Sequence, residues 1–96
     1  MPISETTLGG LTCRVVDTVP DGTPVELVAV FCHGFGASGT DLVPVAGELL
    51  DHAGGLDGRI RFVFPAAPLS LEAFGMPGGR AWWYLDLERL NAAIEQ

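Results

Sequence analysis

Val28-Ala29-Val30-Phe31-Cys32-His33-Gly34-Phe35-Gly36-Ala37-Ser38-Gly39 is the stretch on which the reading of the chain turns. Its first five residues are apolar with no alternation, which suits a strand covered on both faces, as in a parallel sheet. Three glycines follow, and glycine lets a backbone turn sharply and bring bare N–H groups close to a ligand. Thr40-Asp41 then reads as a helix start, so the local order is strand, glycine loop, helix. In α/β proteins that junction is where anions and oxyanions bind.

The flanking sequence extends the same pattern in both directions. Residues 11–16 alternate, with Leu11, Cys13 and Val15 on one face and Thr12, Arg14 and Val16 on the other, and predict a strand. Turn residues crowd 17–24, and 25–32 is the second strand. Leu42, Val45, Ala46, Leu49 and Leu50 recur at helical spacing over 41–52, with Pro44 in the first turn and Gly54-Gly55 as the stop. Residues 59–64 form a third, short apolar strand closed by Pro65. The 65–79 stretch holds three prolines and three glycines. It is expected to be irregular, and its Leu69, Leu71, Phe74 and Met76 suit a pocket-lining loop. Asp86 is a good N-cap for a last helix, with Leu85 and Leu90 as a staple and Leu87, Leu90 and Ile94 as its apolar stripe. The order β–β–α–β–loop–α predicts an α/β protein with a three-stranded mixed sheet and two helices.

Bulk properties narrow the function. Ninety-six residues allow a single domain, 1–96, and a 48% hydrophobic fraction is ample for a core. Five arginines, no lysine and twelve acidic residues give a net charge of −7. That balance argues against nucleic acid and against an anionic membrane surface. The absence of lysine also removes the phosphate-binding Gly-Lys-Ser/Thr loop. No signal core and no run of about 20 apolar residues is present, so a cytoplasmic protein without a membrane span is expected. Cys13 and Cys32 fall in separate strands and are read as reduced, buried hydrophobes. Cys32-His33 has no partner at zinc spacing, so neither metal nor cofactor is expected.

Gly34-Phe35-Gly36-Ala37-Ser38-Gly39 matches G-x-G-x-x-G, which raises a dinucleotide site. That chemistry needs an acidic residue at the end of the next strand for the ribose hydroxyls. Asp57 has about the right count but precedes the strand, and Phe62-Val63-Phe64-Pro65-Ala66-Ala67 supplies no acid. A non-catalytic nucleotide-binding module using Gly34, Gly36 and Gly39 therefore stands as the alternative.

Taken with His33 the pattern changes. His33-Gly34-Phe35-Gly36, Asp41-Leu42, Phe64-Pro65-Ala66-Ala67-Pro68 and Gly79-Arg80-Ala81-Trp82-Trp83 resemble the N-terminal portion of the phospholipase/carboxylesterase family. This is the α/β-hydrolase group that includes the acyl-protein thioesterases. The resemblance runs from about Leu11 onward and implies an incomplete α/β-hydrolase fold acting on carboxylic esters, lysophospholipids or acyl thioesters. It also implies that the Phe35 N–H is an oxyanion donor. His33, Gly34 and Gly36 would shape the loop, and Trp82, Trp83, Leu69 and Met76 would line the substrate pocket. No serine here sits in G-x-S-x-G; Ser4, Ser38 and Ser70 all lack the flanking glycines. The resemblance thus implies a domain ending before the nucleophile elbow, without the Ser-Asp-His triad and inactive alone. Strand order 11–16, 59–64, 25–32 is expected, leaving 27–31 as an open edge. Self-association or a complementary C-terminal half would cover that edge.

Overall fold

The computed structural model describes residues 3–95. Two strands, β1 (Ile3–Leu8) and β2 (Leu11–Asp17), are followed by β3 (Leu27–Val30), α1 (Pro44–His52) and β4 (Ile60–Pro65). Two short strands, β5 (Leu69–Ser70) and β6 (Arg80–Ala81), flank a 3-10 turn at Glu72–Phe74, and α2 (Leu87–Ile94) comes last. The main sheet runs β1-β2-β4-β3. β4 is antiparallel to β2 and parallel to β3. The expected order of the three inner strands is therefore the one that forms, rather than a hairpin of β2 with β3.

The sheet has four strands, not the three expected. Residues 3–8 pair with β2 from Ile3↔Val16 to Leu8↔Leu11. Gly9 and Gly10 close this hairpin with φ of +58° and +82°, the sign that a tight two-residue turn matching strand twist requires at both positions. The strand escapes hydrophobic patterning because all its residues are exposed; Ile3 and Leu8 are its only large apolar side chains. The 65–79 stretch is also less irregular than expected, because Leu69↔Ala81 and Ser70↔Arg80 pair across it.

Phe62 and Phe64 point to the α1 side of the sheet with Val16 and Ile60, and Ala46, Leu42, Val43, Leu49 and Leu50 of the α1 region pack against them. The Phe31, Phe62 and Phe64 rings stack at 5.6–6.3 Å between centroids; burying such a ring contributes about 1.5–3 kcal/mol. Cys13, Val15 and Val63 form a smaller cluster. Cys13 is buried as expected, whereas Cys32 is exposed. β2 and β4 are also joined by Arg61, which donates to Asp17 at 3.0 Å. That bond, with the Val19 N–H as a second donor, holds the Asp17 carboxyl below the usual carboxylate range.

Helix α1 starts later than expected. A tight turn, with Val43 N–H donating to Thr40 O, precedes Pro44 at the start of the helix. Asp86 caps α2 by accepting from the Arg89 N–H at 3.0 Å, as its position implies. Leu90 and Ile94 of the expected stripe are exposed, and the Leu87 side chain lies outside what is described. β3 is shorter than 25–32, although Phe31 N–H still donates to Val63 O. β3 occupies the edge of the sheet. The molecule is elongated, with a radius of gyration of 16.6 Å against about 13 Å for a compact chain of this size.

Candidate active site

β3 delivers the chain into the glycine loop at the C-terminal end of the parallel pair, and β4 delivers Ala66-Ala67-Pro68 beside it. His33 joins the two. It is 4% exposed, and its Nε2 accepts from the Ala67 N–H at 2.9 Å. An N–H can only donate, so Nε2 carries the lone pair and the ring proton sits on Nδ1. Nδ1 in turn donates to Gly34 O at 2.7 Å. Both ring nitrogens are consumed, which leaves His33 with no nitrogen to act as a base. Trp82 completes the lock: its indole N–H donates to His33 O at 2.8 Å, and its ring lies 5.3 Å from the imidazole.

The rest of the loop is held by β6. Gly36 N–H donates to Arg80 O at 2.9 Å, and Arg80 N–H donates to Ala37 O at 3.0 Å. Two glycines are packed tightly. Gly36 has φ +87°, and a Cβ there would sit 2.9 Å from Met76 Cε. Gly39 has φ +96°, and a Cβ there would sit 2.6 Å from Ala66 Cβ. Protein atoms thus occupy the space directly beside these two glycines. The helix that follows begins with a proline, and its Val45 and Ala46 N–H groups donate to Leu42 O and Val43 O, so it offers few free N–H groups to an anion.

Between these fixed points the Phe35 N–H has no acceptor among the described residues. The Phe35 side chain lines a small apolar cavity of about 40 Å³ with Leu71, Phe74, Met76, Tyr84 and Leu85. Of the expected pocket residues, Met76 is therefore brought to Phe35. Leu69 lies in β5, Trp82 packs on His33, and Trp83 is 63% exposed. Tyr84 and Leu85 were not foreseen as lining; the unbroken aromatic run Trp82-Trp83-Tyr84 was the available signal. Ser38 Oγ bonds Thr40 Oγ1 at 3.0 Å within the turn. His52 is exposed beside Glu48 at 3.6 Å. Among the described residues no group of His, Cys, Asp and Glu could hold a metal, and no helix is long and apolar enough to cross a membrane. No protein family, curated protein or solved structure matches the chain.

Proposed function

We propose that this chain is the oxyanion-loop half of a cytoplasmic serine hydrolase for carboxylic esters, lysophospholipids or acyl thioesters. The observation that carries the reading is the Phe35 N–H, without an acceptor among the described residues, on a loop locked by His33 and beside an apolar cavity that Phe35 helps to line. Attack on an ester carbonyl puts negative charge on its oxygen, and a donor already fixed in place lowers that barrier without reorganising. The cavity beside it is small and apolar in its lining, as the entrance to an acyl site would be. The tight packing of Gly36 and Gly39 disfavours the nucleotide alternative, because a pyrophosphate must approach the backbone closely at such glycines.

The nucleophile, acid and base come from a complementary segment that adds a strand to β3. Leu27 and Phe31 N–H groups donate toward β4, so by strand alternation the Val28 and Val30 N–H groups face outward. Neither proline nor lysine blunts this edge. Without the segment, the edge pairs with a second copy of the chain. The test is hydrolysis of p-nitrophenyl butyrate by the chain alone and by the chain joined to a segment bearing strand, Gly-x-Ser-x-Gly, Asp and His. The chain alone is expected to match a no-protein control and to escape a fluorophosphonate probe; the joined protein is expected to turn over. Labelling at Ser38, or micromolar binding of an adenosine nucleotide that Arg14→Gln leaves unchanged, would overturn the reading.

A further inference from the structure

Cations are scarce in this chain, five arginines against twelve acidic residues. Arg59 and Arg61 are spent on Glu26 and Asp17, at 2.7 and 2.8 Å. Arg14 and Arg80 instead line one cavity of about 390 Å³, between the β1–β2 hairpin and the 66–68 and 78–80 segments. Arg80 has no carboxylate partner among the described residues. Its Nε and one terminal nitrogen donate to the carbonyls of Ala67 and Pro68. Those bonds fix the guanidinium while leaving further N–H groups unspent, since the head carries five. Arg14 meets only Glu5, at a long 3.5 Å, and Glu5 is 62% exposed. Thr12 and Ser38 add hydroxyls to the lining, and no Asp or Glu lines the cavity.

A cavity with two guanidiniums, two hydroxyls and no acid is the reverse of what so acidic a composition would place there by chance. We propose that it binds a phosphate group, carried either by a small phosphomonoester or as free inorganic phosphate. A planar carboxylate is satisfied by one guanidinium in a two-pronged contact. Several donors contributed by separate segments of the chain suit a tetrahedral dianion whose oxygens point in several directions. Arg80 is held ready by its carbonyls, and Arg14 exchanges a weak, solvated contact with Glu5 for the ligand. The site shares no lining residue with the Phe35 cavity and does not rest on the ester reading.

Titration calorimetry of the full chain with inorganic phosphate and with glycerol 3-phosphate, at constant ionic strength, tests this. Saturable binding is expected for at least one of them. Tighter binding of glycerol 3-phosphate assigns the monoester, and equal binding assigns free phosphate. Arg14→Gln, at a partly exposed position of β2, keeps the fold by circular dichroism and weakens binding about tenfold or more. Arg80→Gln also removes two structural bonds, so it is a secondary variant only. Glu5→Gln releases Arg14 and strengthens binding several-fold, whereas Asp57→Asn makes the same charge change at a distance and leaves it unaltered. Absence of saturable heat at millimolar concentrations of both anions overturns the proposal. Equal binding by Arg14→Gln, or equal strengthening by Asp57→Asn, does so too.

Discussion

β4 and β3 lie side by side, both apolar, and meet water in opposite ways. Ile60, Phe62 and Phe64 of β4 are sealed under the α1 region, while Val28 and Val30 of β3 remain 59% and 57% exposed. Hydropathy does not separate them; neighbours do. β4 has a strand on each side and residues of the α1 region on one face. β3 has one strand beside it and a free edge. The same contrast recurs at the end of the chain, where α2 has good capping and exposed Leu90 and Ile94. Local sequence rules form an element, but only a partner buries it.

Substitutions at the two strands should have unequal effects if that account holds. Phe62→Ala leaves a void among stacked rings and is expected to cost about 3–5 kcal/mol in urea unfolding, against about 0.5 or less for Val30→Ala. Comparable losses at both positions would mean that β3 is covered in solution.

The glycine loop offers the same test at single positions. Gly39→Ala combines a positive φ with a clash against Ala66 and is expected to lose about 2–4 kcal/mol. Gly34 has open space where a Cβ would go, so Gly34→Ala should shift the melting temperature little. Nitrogen NMR should show His33 as the neutral form protonated on Nδ1, as the Ala67 N–H requires. The Nε2-protonated pattern would mean that the loop is joined to the β4 turn in some other way.

The smallest effect is electrostatic. Arg61 lowers the Asp17 carboxyl from its ordinary value of 3.8, so the unfolded chain binds the proton more readily than the folded one. That stability is fully present above the unfolded value and is lost as pH falls through the lowered folded value. Asp17→Asn should therefore differ from the parent most near neutrality and converge with it in strong acid. A constant gap at all pH values would mean that the Arg61 bond does not form.

The α2 cap was legible because Asp86 has one strong reading, whereas local rules favour a hairpin of neighbouring strands and the strand order was expected from the resemblance alone. β1 was not, since Ile3 and Leu8 are too few to make a pattern and only Gly9-Gly10 signals a turn. At the site, His33 and Gly36 could be named from the loop motif. The placement of Trp82 against His33 could not, because adjacent tryptophans point opposite ways and nothing local says which one turns inward. Arg14 and Arg80 are more than sixty residues apart, and only pairing of β2 with β4 brings their surroundings together.

The most direct test of the central claim is the turnover of the joined hydrolase with Phe35→Pro, which deletes the one N–H assigned to the oxyanion. The account predicts a fall in kcat of about 100- to 1,000-fold, with the His33 nitrogen signature intact. An unchanged kcat, with that signature preserved, would show that the loop stabilises no developing charge and would contradict the assignment.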